Sequence, residues 1–363
     1  MARTKVLLVT DTLNWGGSER LLVDLATRLD MSRFQVEVMT TTMGGTLLVD
    51  ELDRCGIPVH VFGRRCWLGL AVLPRLVRCI AEFSPDIVQT FRFTANAYGR
   101  TAAILAGVRV VISTEHNYES KEYCRLFVDW VLGARTNCAV VISNEIFSQV
   151  RVQQRIPTKR IELIDEGIDL GRFRYQPRQA FKGASPIRVG IVGRLAPQKC
   201  QADFIDAMRL VKAAGRPFVG FIVGEGPQKE ALCSAVESAG LAQDVHFVGF
   251  RSDLEIFFAE LDLLVVSSRW EGLPLTLLTA AACGLPFVTT RVGGIQDAFE
   301  DRVHGLLVDP ARPDQIAKAV LWCMDHYSEA CEMARVASIH VHGLHGLDAM
   351  VRRHEMLYDR LTK

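Results

Sequence analysis

The sequence predicts an α/β fold made of two Rossmann-like domains. Three observations carry this. The chain has 363 residues, and domains commonly run to about 100–200 residues each. Short apolar runs, polar loops and amphipathic helical stretches alternate along the whole length, the texture of parallel sheets with crossover helices. The opening unit of strand, glycine loop and helix begins afresh in the second half of the chain.

The elements can be justified in order. Val6–Thr10 is a continuous apolar run that ends in the polar loop Asp11–Gly17, after which Leu21, Leu22, Leu25, Ala26 and Leu29 recur at helical spacing. Further strands are expected at 35–40, 59–62, 86–90, 109–114 and 138–142. The stretch Arg172–Ser185, with Pro177 and Gly183, has no apolar period and reads as a linker. Ile187–Val192 then starts a new strand, followed by a glycine loop and a helix over about 201–213. Strands are expected at 218–223, 245–248, 262–266 and 286–290. Leu347, Met350, Val351, His354, Leu357 and Leu361 form a stripe that predicts a helix over about 345–361. His340, His342 and His345 are read as the turn before that helix, because no cysteine or carboxylate pattern accompanies them as a metal site would require. The expected domains are 1–175 and 186–340, with the helix 345–363 returning to the first.

Composition removes several classes of function. Net charge is +1; the first 170 residues hold 20 basic and 19 acidic groups, so no half carries the excess of a nucleic-acid binder. The apolar run after Lys5 is broken by Asp11, too soon for a signal peptide, and no run of about 18 apolar residues occurs. The ten cysteines include no C-x-x-C pair, which points to a reducing, cytoplasmic setting. Residues 54–81 contain Arg54, Arg64, Arg65, Arg75 and Arg78 and no acid, interleaved with Trp67, Leu68, Leu70, Leu73 and Leu76. Such a segment could make peripheral contact with an anionic membrane, but it reads somewhat better as a core-facing helix with solvated arginines.

Four constellations carry chemistry. Gly16-Gly17-Ser18-Glu19 joins the first strand to its helix, where backbone amides and the helix N-terminus suit an anion; the alternative is a tight turn without ligand. The G-x-G-x-x-G dinucleotide fingerprint is absent. Gly193-Arg194 through Lys199 follows a strand's carboxyl end, where two cations match a diphosphate, or are ordinary surface charge. The third runs from Ser267 to Pro274, with Glu271 able to accept two sugar hydroxyls or merely to cap a helix; Gly293-Gly294 adds backbone amides. The fourth is Thr114-Glu115-His116-Asn117, where His116 stands at a strand end in a polar cluster.

Seven ordered blocks resemble the large retaining glycosyltransferase family four, of GT-B architecture. They are Gly16 to Arg20, "EHN" at 115–117, Glu166-Gly167-Ile168-Asp169, "VGRLAPQK" at 192–199, "VGEGP" at 223–227, "VHFVGFRSDL" at 245–254, and "SSRWEGLP" with "ACGLPFVTTRVGG" at 282–294. The resemblance spans nearly the whole chain. It implies an acceptor-binding first domain, a nucleotide-sugar-binding second domain and a cleft between them. It places Gly16 and Gly17 near the donor diphosphate and acceptor, and His116 against the transferred sugar. Arg194 and Lys199 would neutralise the leaving diphosphate, and Glu271 would hold the sugar hydroxyls. Phe250 and Arg251 would frame the base, and amides around Leu275, after Pro274, would meet the phosphates. Gly193, Gly224, Gly272, Leu273 and Thr279 complete the expected donor site. The sequence departs from the family pattern at Thr279, where a second glutamate usually holds the ribose, at Glu166 in place of asparagine, and at Cys200 in place of glycine.

The expected reaction breaks an anomeric carbon–phosphate oxygen bond through an oxocarbenium-like transition state, with charge growing on the diphosphate. Cations and amides can meet that charge without a metal or a resident cofactor, so a nucleotide sugar, UDP-linked by family frequency, would be a co-substrate. The acceptor would be a glycan, a lipid-linked saccharide or a small molecule. Two other readings stand beside this. A sugar-nucleotide epimerase would need acid/base carboxylates, for which Glu115 and Glu225 are the candidates. A degenerate nucleotide-sugar-binding or scaffold protein would be marked by Thr279.

Overall fold

The computed structural model describes residues 3–42, 44–62, 72–116, 123–178 and 186–363. The chain divides into two compact units, Met1–Gly167 with Leu347–Lys363, and Ile168–Gly346.

The first unit alternates strand and helix: β1 (Thr4–Thr10), α1 (Gly17–Arg28), β2 (Phe34–Thr40), α2 (Thr46–Arg54), β3 (Val59–Val61), α3 (Leu73–Phe83), β4 (Ile87–Phe91), α4 (Phe93–Leu105), β5 (Val110–Glu115), α5 (Tyr123–Gly133), β6 (Cys138–Val141), α6 (Asn144–Gln153) and β7 (Ile161–Leu163). All seven strands are parallel, in the order β3-β2-β1-β4-β5-β6-β7. The central strands are covered on both faces, which is why β4 is buried at every position.

The second unit holds β8 (Ile187–Val192), α7 (Gln201–Ala213), β9 (Phe218–Val223), α8 (Lys229–Ser238), β10 (Val245–Gly249), α9 (Leu254–Glu260), β11 (Leu263–Val266), α10 (Leu275–Ala282), β12 (Phe287–Thr290), α11 (Ile295–Ala298), β13 (Leu306–Val308), α12 (Pro313–Asp325) and α13 (Tyr327–Leu344). Its six parallel strands run β10-β9-β8-β11-β12-β13. Both sheets are therefore doubly wound, and strand order reverses between β1 and β4 in one and between β8 and β11 in the other. Open α/β sheets take their ligands at the carboxyl ends of strands flanking such a reversal.

The last helix, α14 (Leu347–Thr362), belongs to the first unit. It buries Leu347, Met350, Val351, His354 and Leu357, as the sequence spacing predicts, with Tyr358 in place of the expected Leu361, which is only half-buried. Burying each large apolar side chain is worth about 1.5–3 kcal/mol. Around that seam Arg33 pairs with Glu355 at 3.1 Å, Arg353 with Asp165 at 2.7 Å and Arg360 with Glu162 at 2.6 Å. These pairs are exposed and orient the helix more than they stabilise it.

Several expectations change. The three-residue strands β7 and β13 are absent from the sequence reading, because so short a run shows no period. The linker is only partly one: Phe173 is buried in the second unit's core, and the Arg178 guanidinium donates to the carbonyls of Phe258 at 2.8 Å and Leu261 at 2.9 Å. The division accordingly falls at Gly167, ahead of 175; residues 179–185 lie outside those described. His340 and His342 are not in a turn but in α13, whose buried stripe is Ala330, Ala334, Ala337 and Val341. His345 alone ends that helix. Of the basic segment 54–81, residues 63–71 lie outside those described, and α3 is a core-facing helix: Leu76, Ile80 and Phe83 are buried, while Arg75 and Arg78 are exposed. No helix among the described residues is long and apolar enough to cross a membrane.

The Tyr358 hydroxyl donates to Gln89 Oε1 in the core, and Gln89 Nε2 donates to Thr114 Oγ1 at 2.8 Å. Tyr358→Phe would leave the Gln89 acceptor buried without a donor. A loss of about 1–3 kcal/mol in urea unfolding is expected; an unchanged midpoint would mean that the seam is apolar packing alone.

Candidate functional site

At the carboxyl edge of the first sheet, Gly16 precedes α1 and has no room for a side chain: a Cβ there would lie 2.3 Å from Glu19 Oε2. Glu19 is buried. It accepts from Ser18 Oγ at 3.0 Å and forms an ion pair with Arg92, the residue that leaves β4. This pair spans the β1/β4 reversal. Arg20 ties α1 to α2 by pairing with Asp24 and Glu51, each at 2.6 Å. Glu19 and Arg20 are thus engaged within the protein, and Gly16 and Gly17 offer backbone to that edge.

His116 follows β5. Its Nδ1 lies 3.1 Å from Glu166 Oε1, and its ring stacks on Phe91 with centroids 5.8 Å apart. Sequence reading noted Glu166 as a departure but not as this partner. His116 and His354 of α14 line one cavity of about 20 Å³, together with Leu21, Leu25, Phe91 and Glu166. The Nε2 atoms of both imidazoles are buried with no hydrogen-bond partner among the described residues, and the cavity between the mostly apolar side chains has the size of one water. His354 Nδ1–H donates to the Met350 carbonyl at 3.0 Å, and burial, aided by the nearby His116, lowers its pKa to about 4.

Glu115 turns into the protein, where its Oε1 accepts from Asn96 Nδ2 at 2.9 Å and Gln154 Nε2 at 3.0 Å. Burial, reinforced by the Asp129 carboxylate, pushes its carboxyl above the usual range. Arg100 is wholly buried and paired with Asp129. Glu225 is exposed and pairs with Lys229 at 3.1 Å. The two epimerase candidates are therefore engaged separately, one per unit. Asn117 lies outside the described residues.

The second sheet presents the larger assembly. Lys199, from the loop after β8, pairs with Glu271, from the loop after β11, at 2.5 Å across the β8/β11 reversal. Glu271 Oε1 also accepts from Ser268 Oγ at 2.7 Å, and Oε2 from Gln198 Nε2 at 3.2 Å. The two loops are laced together by Ser267 Oγ, which donates to the carbonyls of Lys199 and Cys200 at 3.0 and 2.8 Å. Arg194 is exposed, and its guanidinium has no hydrogen bond or ion pair with a described residue.

The glycines of these loops make room for backbone. A Cβ on Gly224 would meet the Gly193 carbonyl at 2.0 Å, and one on Gly293 the Glu271 carbonyl at 1.7 Å. Gly272 accepts from Gly294 N through its carbonyl. Pro274 precedes α10 with extended backbone, and its side chain offers no cap, so amides at the helix start, Leu275 among them, are unclaimed by a side-chain cap. Leu273 is buried. Phe250 is exposed after β10, and Arg251 pairs with Asp253 at 2.5 Å.

Two departures acquire a physical form. Thr279 is buried in α10, and its hydroxyl donates to the carbonyls of Leu275 at 2.8 Å and Thr276 at 3.1 Å. Cys200, where the family has glycine, adopts φ 47° and ψ 51°, a left-handed conformation unfavourable to a side chain. Its Sγ accepts from Arg269 Nε at 3.1 Å.

The geometry defines a class: two doubly wound, Rossmann-like units in one chain, each with a cation–carboxylate pair at its strand reversal, the GT-B architecture. Comparison with known proteins gives the family. Residues 15–172 match the model described as Glycosyltransferase Family 4, and residues 186–326 that of Glycosyl transferases group 1. The chain belongs to the family-four glycosyltransferases. It is 29% identical to the amylovoran biosynthesis glycosyltransferase AmsK of Erwinia amylovora over 69% of this chain, but spans only 64% of that relative's length. It is 27% identical to the GDP-mannose-dependent alpha-(1-6)-phosphatidylinositol monomannoside mannosyltransferase of Mycobacterium tuberculosis, over 87% of this chain and 88% of that one. The Anabaena protein HepE, solved in complex with UDP-glucose, has the same fold with a TM-score of 0.86 at 23% identity, over 98% of this chain and 100% of that one.

Two measurements test this account. Cys200→Gly removes a side chain from left-handed backbone and should stabilise the second unit by about 1 kcal/mol in thermal unfolding; a lower Tm would mean that the Arg269–thiol contact outweighs the strain. The second concerns His354. Its pKa is depressed from 6.5 in the unfolded chain to about 4 in the folded one. Unfolded protein therefore binds the extra proton between those values, and stability falls as pH drops through that window, by roughly 3 kcal/mol. Glu115, with a raised pKa, acts in the opposite sense as pH rises, so the difference between wild type and His354→Leu is the readout. Stability of the variant relative to wild type should improve from pH 7 to pH 5 in urea titrations, and a pH-independent difference would show that His354 is not held neutral.

Proposed function

We propose that the chain is a retaining, metal-independent glycosyltransferase that moves a hexose from a UDP-linked donor to a hydroxyl of a lipid-linked or other glycan acceptor at the cytoplasmic face of a membrane. The observation that carries this is the Lys199–Glu271 pair across the β8/β11 reversal, beside the uncapped start of α10. A diphosphate brings negative charge to a helix N-terminus and two cations, and a sugar brings hydroxyl donors to a carboxylate that has only acceptors to offer.

As the anomeric carbon–oxygen bond breaks, charge grows on the leaving diphosphate. Arg194, which has no partner to give up among the described residues, meets that charge, and Lys199 is shared between it and Glu271. Ser268 and Gln198 keep Glu271 in place while its remaining lone pairs accept sugar hydroxyls. His116, held through Nδ1 by Glu166, is the residue of the first unit that the family resemblance assigns to the transferred sugar. The leaving phosphate oxygen takes the acceptor's proton on the same face, so the sugar keeps its anomeric configuration.

The UDP assignment is supported by HepE, solved with UDP-glucose, and by a 24% identical Escherichia coli relative named as UDP-Gal:alpha-D-GlcNAc-diphosphoundecaprenol alpha-1,3-galactosyltransferase. That relative and the mycobacterial mannosyltransferase are named for lipid-linked acceptors. The mycobacterial protein uses GDP-mannose, which makes GDP the donor base to test against UDP. A second reading has one observation behind it: the Thr279 hydroxyl is spent on its own helix and offers the ribose no acceptor pair, as in a degenerate nucleotide-sugar-binding protein.

Thermal shift with UDP, GDP, ADP and their sugars separates these. A ligand at 100 times its Kd stabilises the native state by about 2.7 kcal/mol. One nucleotide should raise the Tm of wild type, and Arg194→Ala should lose most of that rise. No rise with any of them at millimolar concentration would overturn the donor assignment, and a rise appearing only in Thr279→Glu would favour the degenerate reading.

A further inference from the structure

We propose that the edge of the first unit formed by α5 and the C-terminal end of α6 docks on an anionic lipid bilayer. Three large apolar side chains of α5 stand in solvent, Phe127 at 64%, Trp130 at 43% and Val131 at 48% exposure, and Val152 of α6 joins them at 70%. The Phe127 and Trp130 rings touch, with centroids 5.9 Å apart, and the Arg155 guanidinium sits 5.6 Å from the Trp130 ring. These contacts hold α5 and the residues after α6 in one surface.

Charge decides the partner. Arg135 lies in the turn before β6, Arg151 in the last turn of α6, Arg155 just beyond it, and Lys159 and Arg160 in the turn before β7. Since the strands are parallel, all five gather at the amino ends of β6 and β7. All five are exposed, and none has a carboxylate partner among the described residues. Six of the arginines elsewhere on the same unit, Arg20, Arg28, Arg33, Arg78, Arg353 and Arg360, each hold an acid. The acids nearby are spent: Asp129 is tied to the buried Arg100, Glu162 to Arg360 and Asp165 to Arg353. A chain of net charge +1 thus collects five uncompensated cations beside an exposed aromatic pair.

An anionic bilayer answers both features at once. Tryptophan favours the lipid–water boundary, arginine stems lie along apolar surface while their heads reach phosphates, and each basic residue near an anionic surface strengthens binding roughly fivefold. Nucleic acid would meet the cations but not Phe127, Val131 and Val152. The surface lies at the amino ends of the strands, opposite the edge that carries His116, so the inference stands apart from the donor reading. It also differs from the segment 54–81, whose described helix faces the core.

The test is co-sedimentation of the full chain with vesicles of phosphatidylcholine alone and of phosphatidylcholine with phosphatidylglycerol in equal parts. Binding is expected only to the second, and it should weaken as salt rises. Arg151→Glu with Arg155→Glu should lower it at least tenfold, and so should Phe127→Ser with Trp130→Ser. Arg209→Glu with Arg352→Glu, the same charge change at exposed unpaired arginines elsewhere, should bind like wild type. Nucleotide-induced thermal shifts, where wild type has them, should persist in all three variants, which separates loss of this surface from loss of fold or of the donor site. Absent binding to anionic vesicles, equal binding to both vesicles, or equal loss in the control variant would overturn the proposal. So would a wild-type dimer in light scattering that Phe127→Ser with Trp130→Ser dissociates, since a second copy would then cover the face.

Discussion

A buried carboxylate held by a cation across each strand reversal is the interaction on which the carboxyl edges of both sheets depend. Glu19 with Arg92 does this between β1 and β4, and Glu271 with Lys199 between β8 and β11. An ionised carboxylate out of water is costly unless paired and hydrogen-bonded, and removing one partner costs far more than replacing both. The loops that carry the pairs are therefore fixed in place together with the charges. The two pairs differ in what they leave over. Glu19 lies against Gly16, between Ser18 and Arg92. Glu271 is held as firmly, but by a lysine whose single mobile charge can turn to a second anion without leaving the first.

Around Glu271 the glycines have a common purpose that differs from an anion cradle. Gly224 lies on the Gly193 carbonyl, Gly226 on the main chain of Leu195, and Gly293 on the Glu271 carbonyl. The missing Cβ at each lets one loop rest on the backbone of another. Four loops from β8, β9, β11 and β12 consequently form a continuous layer, and a change in one is expected to act through the others rather than add to them.

Much of this was legible in the sequence, for identifiable reasons. Ile187–Val192, apolar but for Arg188, and Phe218–Val223 are short apolar runs bounded by proline and glycine, and their limits could be read directly. Arg194, Lys199 and Glu271 stood out because each follows a strand's carboxyl end. Their mutual pairing did not, since nothing local in a chain tells a lysine which distant glutamate it will meet. The histidines at 340–345 concealed the end of α13 because its buried face is built of alanines, which carry little apolar signal. The Arg100–Asp129 pair and the Glu115 network were equally hidden: charged residues are expected outside, and only tertiary partners make an interior arginine tenable. Cys200 was visible as a departure from a family pattern, yet only the backbone angle explains why glycine belongs there.

The second unit is an insertion in the chain of the first. Ile168 and Gly346, its two ends, form a bridge with each other, and Ile168 N donates to the His345 carbonyl at 2.9 Å. The unit is thus closed on itself within one continuous stretch of sequence. The first unit is not: Tyr358 meets Gln89 across 269 residues of sequence. During synthesis the apolar face of α1 that receives Met350 and His354, with Leu21 and Leu25, waits uncovered until the whole of the second unit has been made. Of the two units, the one whose strands come first in this sequence is therefore the one whose buried face is completed last.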